Sequence, residues 1–217
     1  MSRSEAMTTG SDGRHLCWSC KEETGEGPFC TNCVKIQPVE EIGGFFELFG
    51  IEKSFTINSA RIKKKYYELS RRYHPDFYSG KSDEEKTLAR INTAHLNKAL
   101  RIMSDPLLRA EYMLETEDGG FTAHPAPPQE LFEEILEIGE LLVEDGEPGD
   151  EGRQTLNETT RNFKNRLEVL ENSLDELFAR LLTGDENTKA EIEGRINNIK
   201  YLRTTLARID KKLMEAV

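Results

Sequence analysis

The sequence predicts an all-α fold: a helical hairpin, then a three-helix bundle, with a small N-terminal cysteine knob. Three observations predict it. Apolar residues recur at steps of three and four along the long segments after residue 57. All four cysteines fall between Cys17 and Cys33, as two C-x2-C pairs. No alternating strand pattern occurs outside those pairs, and there is no internal repeat.

The chain has 217 residues, 36% hydrophobic and 32% charged, with a formal net charge of −11. That is room for one large domain or two small ones with modest cores. So acidic a chain is a poor default binder of nucleic acid or of an anionic membrane surface. No apolar run approaches the roughly 20 residues that span a bilayer. Residues 1–16 are expected to be a disordered tail. They hold no apolar stretch for a secretory signal, and Glu5 and Asp12 beside Arg3 and Arg14 make a weak amphipathic presequence. The expected location is the cytoplasm, or the mitochondrial matrix if the source is a eukaryote.

Cys17, Cys20, Cys30 and Cys33 form a knob over residues 17–36. Each two-residue gap lets a tight turn aim both sulfurs at one point, and Gly25, Gly27 and Pro28 reverse the connector. Four thiolates in that arrangement suit a structural zinc ion in a zinc-ribbon-like knob. A rubredoxin-like single iron fits the same spacing. Two disulfides are the bland alternative, and clustered C-x2-C pairs without a secretory signal favour metal. Glu22, Glu23 and Glu26 face only Lys21 between the pairs, the wrong sign for phosphate, so the knob reads as structural. His15 is a bystander beside four thiols.

"VKIQPVEEIGG" is a short connector, and "FFELFGIEKSF" a short apolar helix or turn stopped by Gly50. "INSARIKKKYYELSRRY" is a helix capped by Asn58, with Ile62, Tyr66, Leu69 and Tyr73 on one core-facing stripe. Arg61, Lys64, Lys65, Arg71 and Arg72 lie largely on another face. Pro75 ends this helix near His74, because the residue before a proline is pushed out of the α region. Ser82 or Asp83 caps the next helix, whose matching stripe is read as Leu88, Ile91, His95, Ala99 and Ile102. Ser104 or Asp105 then caps "PLLRAEYMLE", with Pro106 at its first position and Gly119 and Gly120 at its end.

"FTAHPAPPQ" is a proline-rich hinge in which His124 has no neighbours that would make it a ligand. The linker is set at residues 118–128. A bundle of three helices over residues 129–217 follows. The first is "QELFEEILEIGELLVED", closed by "GEPGDEG". The second carries Leu156, Phe163, Leu167, Leu170, Leu174, Leu177 and Leu181; the third, beyond "TGD", carries Ile192, Ile196, Ile199, Leu202, Leu206, Ile209 and Leu213. Two long amphipathic helices joined by a short turn run antiparallel.

His74, Pro75 and Asp76 stand between two helices, the first of them basic. No nucleophile and no orienting third group accompanies His74, so catalysis is a poor reading and the chain is not expected to be an enzyme. Proline fixes the tip, Asp76 can accept a bidentate arginine, and the basic face can steer an acidic partner.

Residues Phe45 to Leu114 resemble a J domain of the DnaJ type, set at residues 43–117. They are most similar to its HscB (Jac) branch, through "HPDFY", through "IMSDPLLRAEYML", and through a helical domain that follows without a Gly/Phe-rich linker. The N-terminal tetra-cysteine knob also occurs in some members. The resemblance implies a co-chaperone of iron–sulfur cluster biogenesis. Its J domain would stimulate the ATPase of a DnaK/HscA-type chaperone through His74, Pro75 and Asp76, with Arg61, Lys64, Lys65, Arg71 and Arg72 as docking face. Its C-terminal domain would hold an IscU-like cluster scaffold. The chain itself would bind no nucleotide and act as a monomer.

One place in the bundle fits a client. Leu131, Ile135, Ile138 and Leu142 suffice for the core, so Phe132, Leu136 and Val143 form a second apolar stripe, rimmed by Glu133, Glu137 and Glu140. Glu130, Glu133, Glu134, Glu137, Glu140, Glu144, Asp145, Glu147 and Asp150 leave residues 130–150 without a base, which suits a cationic partner. "LFEEILEIGE" is similar to the family's scaffold-binding helix, so Phe132, Leu136, Glu137 and Glu140 carry over as contacts, and Tyr201 as an aromatic contact on the last helix. Glu133 and Gly139 depart from that pattern. Two other readings stay open: a J-protein with a different basic client, and a metal or redox protein centred on the four cysteines.

Overall fold

The computed structural model describes residues 16–24, 27–39, 43–116, 120, 127–143, 148–185 and 187–214. The expected N-terminal tail up to residue 15, Glu26, most of the proline-rich hinge with His124, and the acids Glu144, Asp145 and Glu147 lie outside them. Every regular element among the described residues is helical, and only two isolated bridges, Leu16 with Glu23 and Phe29 with Ile36, have strand character. The all-α class therefore stands. None of the described helices is long and apolar enough to cross a membrane. The chain divides into two compact units: Met1–Lys53 with Ile57–Ser104, and Ser54–Thr56 with Asp105–Val217.

In the first unit, α1 (Phe45–Phe49) ends at Gly50, whose left-handed φ of 60° suits a residue without a Cβ. α2 (Ser59–Tyr73) begins at Asn58, whose Oδ1 accepts the Arg61 N–H at 3.0 Å. α2 stops at Tyr73, and His74 is extended at ψ 124° ahead of Pro75. α3 (Asp83–Ser104) starts in a reciprocal capping box. Ser82 Oγ accepts the Glu85 N–H at 3.3 Å, and the Glu85 carboxylate accepts the Ser82 N–H at 3.4 Å.

Ile62, Leu69 and Tyr73 of α2 are buried as expected, and Tyr66 is half-buried, its hydroxyl on Asn97 at 2.9 Å. The α3 stripe differs from the sequence reading. The buried positions are Glu85, Ala89, Asn92, Leu96, Ala99 and Met103, whereas Ile91 is exposed and Leu88, His95 and Ile102 only half-buried. Of the expected stripe only Ala99 is fully buried. The cause is polar burial. Asn92 Nδ2 donates to Gln37 O at 2.8 Å and its Oδ1 accepts the Val39 N–H at 3.2 Å, while Glu85 pairs with Lys35 at 2.7 Å. A stripe whose buried members include an amide and a carboxylate is invisible to a hydrophobic pattern. His95 sits at the core edge, 5.3 Å edge-on from Phe45.

The second unit holds α4 (Pro106–Glu115), α5 (Gln129–Val143), α6 (Asp150–Leu182) and α7 (Asn187–Met214). α6 begins three residues earlier than the "GEPGDEG" turn implied. α6 and α7 reverse through Gly184 at φ +95°. Leu131, Ile138, Leu156, Phe163, Leu202, Leu206 and Ile209 make the core, with Ile135, Leu142, Leu167, Leu170, Tyr201 and Leu213 packed against it. α7 packs against α4, α5 and α6 together, which accounts for the burial of its polar Thr188, Glu193, Asn197 and Thr205. Phe178 falls off the expected α6 stripe yet is buried. Phe55 stacks on it at 5.1 Å, and Arg109 Nε donates to Phe55 O at 2.8 Å.

Asp105 ties α4 to the bundle. Its Oδ1 accepts the Leu107 and Leu108 N–H groups at 2.8 and 3.3 Å, and Arg203 Nη1 reaches both its oxygens at 2.8 Å. Arg203 also holds Glu171 at 2.7 Å, and Arg109 adds positive charge nearby. Burial raises the Asp105 carboxyl, but Arg203 and the two N–H groups outweigh it and hold the carboxyl below its ordinary 3.8. A depressed folded-state value stabilises above 3.8, and that stabilisation is lost as pH falls through the folded value. Asp105→Asn keeps the cap and loses the charge. It is expected to cost about 1 kcal/mol at pH 7 and to flatten the acid limb of a stability curve measured by urea melts.

Candidate functional site

Pro75–Tyr78 form one 3-10 turn at the junction of α2 and α3. Asp76 presents an 87% exposed side chain, and His74 one that is 52% exposed. The His74 Nδ1 accepts the Asp76 N–H at 3.4 Å and lies 3.5 Å from the Asp76 carboxylate. The next two residues diverge. Phe77 is 68% exposed, its ring edge-on to His74 at 6.2 Å, whereas Tyr78 is buried and donates its hydroxyl to Arg72 O at 2.9 Å. The result is an exposed carboxylate and two exposed rings on a fixed turn. Among the described residues no nucleophile pairs with His74.

The basic residues of α2 do not form one uniform face. Arg61, Lys64 and Arg71 are exposed and Lys65 is half-buried. Arg61 Nη2 donates to Gly50 O at 2.6 Å. Arg72 differs most: its guanidinium lies 4.1 Å from the Phe29 ring centroid.

The cysteine knob is a doubled turn. Cys17 N donates to Glu22 O at 2.8 Å and Lys21 N to Cys17 O at 3.0 Å. Thirteen residues on, Cys30 N donates to Lys35 O and Val34 N to Cys30 O, both at 2.9 Å. The residue after each pair, Lys21 or Val34, takes a left-handed φ of 65° or 59°. The Cys17–Cys33 and Cys20–Cys30 sulfurs are 3.6 and 3.7 Å apart, all four lie within 4.8 Å, and all are free thiols. A tetrahedron with zinc–sulfur bonds of about 2.3 Å has edges of about 3.8 Å, so the four sulfurs fit a metal ion. The Ser19 and Asn32 N–H groups and Gln37 Nε2 donate to these sulfurs at 3.3 to 3.4 Å, as thiolates require. The Glu22 N–H draws Cys20 down to about 7. The Lys35 N–H lowers Cys33, but burial and the neighbouring sulfurs outweigh it and push that thiol up to about 11. Cys20 and Cys33 are thus shifted in opposite directions.

On α5, Leu131 and Ile138 point into the core and Glu134 pairs with Arg166 of α6 at 2.6 Å. Phe132, Leu136 and Val143 are left 47%, 55% and 74% exposed. Glu133, Glu137 and Glu140, the expected rim, are exposed beside them, as is Glu130. Gln129 Nε2 holds Glu133 at 2.9 Å. Tyr201 is half-buried and packs against the bundle core from α7.

Sequence reasoning missed the residues that fasten the knob to the hairpin: Phe29, Lys35, Gln37, Glu85 and Asn92. Phe29 carried a signal, since so small a knob has no interior of its own for a phenyl ring.

The DnaJ domain family matches residues 44–112. The chain is 34% identical over 137 residues to "Iron-sulfur cluster co-chaperone protein HscB" of Mus musculus, covering 59% of this chain and 57% of that protein. It is 28% identical over 163 residues to the Arabidopsis thaliana "Iron-sulfur cluster co-chaperone protein HscB homolog", covering 75% and 62%. The match to the Vibrio campbellii "Co-chaperone protein HscB homolog" is 25% over 177 residues, 78% of this chain and 98% of that protein. The matches thus span about 60% of the length of the mouse and Arabidopsis relatives. In fold, the crystal structure of human co-chaperone protein HscB superposes with a TM-score of 0.76 at 22% identity, covering 92% of this chain and 99% of that one.

Proposed function

We propose that this chain, which belongs to the HscB-type J-domain proteins, is a co-chaperone that joins an ATP-driven chaperone to an iron–sulfur cluster scaffold. The observation that carries the reading is the fixed turn of His74, Pro75 and Asp76 beside a cationic helix, in a chain whose second unit exposes a separate apolar stripe. Two docking surfaces and no catalytic constellation among the described residues suit an adaptor. His74, Pro75 and Asp76, with Arg61, Lys64, Lys65 and Arg71, would engage a DnaK/HscA-type chaperone. Arg72 belongs to that set through its place on α2, although its guanidinium is engaged by Phe29. Phe132, Leu136, Glu137 and Glu140, with Tyr201, would hold an IscU-like scaffold, the exposed apolar side chains at the centre and the carboxylates as rim.

Cys17, Cys20, Cys30 and Cys33 would hold zinc, which when bound supplies a structural cross-link. Metal analysis of the purified chain should find one zinc ion and no visible absorption; a coloured iron protein would move the knob to redox chemistry. The adaptor reading is tested by titrating a purified IscU-like scaffold into the full chain in a calorimeter. A one-to-one complex supports it. Absence of heat and of co-elution leaves the second unit with a different client.

A further inference from the structure

We propose that the second turn of the cysteine knob is a clamp that positions the HPD loop. The loop leaves α2 at Tyr73 and enters α3 at Ser82, and the knob touches both ends. At the first end the Phe29 ring stacks on Tyr73, with centroids 6.1 Å apart and planes 29° apart, and the Arg72 guanidinium lies against Phe29. Arg72 also anchors the loop from within, because its backbone O accepts the Tyr78 hydroxyl. At the second end Lys35 Nζ pairs at 2.7 Å with Glu85, which is 5% exposed, and the Glu85 carboxylate accepts the Ser82 N–H of the capping box. Phe29 and Lys35 flank one turn, Cys30 to Cys33. Their separation is fixed by the Cys30 N–H on Lys35 O and by the Phe29–Ile36 bridge. Gln37 and Val39 continue the attachment onto Asn92 of α3.

The knob therefore spans the base of the loop. A loop whose ends are pinned loses less freedom when a partner binds its tip. Phe29 and Lys35 are positioning residues: they act through Tyr73, Arg72 and Glu85. The effect on the chaperone rests on the co-chaperone reading above; the effect on the loop does not.

The test uses the full metal-loaded chain with Phe29→Ala, Lys35→Met, the two combined, and Phe29→Tyr, which keeps the stacked ring. Amide hydrogen exchange is read across residues 74–82, with α5 to α7 and bound metal as controls. Stimulation of a DnaK-type ATPase is read as half-maximal concentration and as maximal rate. The combined variant is expected to exchange about tenfold faster across the loop, with bundle and metal unchanged. It is expected to need severalfold more protein for half-maximal stimulation, at the same maximal rate. Phe29→Tyr is expected to behave as wild type. If the combined variant sheds its metal, Lys35→Met alone is read, with a smaller rise in exchange expected. Unchanged exchange in the loop overturns the clamp, and so does faster exchange with an unchanged half-maximal concentration. A wild-type chain that stimulates nothing overturns the co-chaperone reading instead, and loop exchange still decides the clamp.

Discussion

His74→Gln is expected to bring chaperone ATPase stimulation down to the unstimulated rate, a loss of at least about tenfold, the scale of a lost interface hot spot. The imidazole is half-exposed and makes one long hydrogen bond, to its own turn. Losing it changes folding stability by roughly 0.5 kcal/mol or less. What disappears is the ring that stands beside Asp76 and Phe77 on the presented tip. Scaffold affinity and melting temperature should match wild type, because the exposed stripe of α5 belongs to the other compact unit. Stimulation by the variant equal to wild type would remove the loop from the mechanism, whatever the resemblance of its sequence.

The second large effect lies at Phe132 and Leu136. Both side chains are about half exposed, so truncating them opens little cavity, and a thermal melt of Phe132→Ala with Leu136→Ala should shift by only a few degrees. Apolar anchors at the centre of an interface cost on the order of 2 kcal/mol each when truncated. The double variant should therefore bind an IscU-like scaffold on the order of 1,000-fold more weakly, by calorimetry, and still stimulate the chaperone alone. Glu134→Ala provides the contrast. Its carboxylate is engaged by Arg166, so its loss should touch stability more than scaffold affinity. A double variant that binds as tightly as wild type would place the client elsewhere.

The parts legible in the sequence were those governed by local rules. Pro75 ends α2, Asn58 caps α2, Asp105 caps α4 with Pro106 behind it, and the spacing of Ile192 to Ile209 places one face of α7 in the core. The exposure of Phe132, Leu136 and Val143 was legible for the same reason, because α5 has more apolar positions than its core uses. The α3 stripe was not. Glu85 and Asn92 are buried there because a separate small element supplies Lys35, Gln37 and Val39 to satisfy them, and no periodicity within α3 carries that information. Phe178 was missed likewise, since its partner Phe55 comes from more than a hundred residues upstream. The spacing of the four cysteines announced a cluster close enough to hold a metal ion. That Phe29 and Lys35 beside them reach the base of the HPD loop needed three dimensions.

The central claim is that one chain couples a chaperone to a scaffold, and steady-state ATP hydrolysis tests it most directly. A DnaK/HscA-type chaperone is assayed with this protein, with an IscU-like scaffold, and with both. The account predicts stimulation by this protein alone and a rate with both that exceeds the sum of the two separate effects. No stimulation by this protein, or a rate with both that is merely additive, would contradict it.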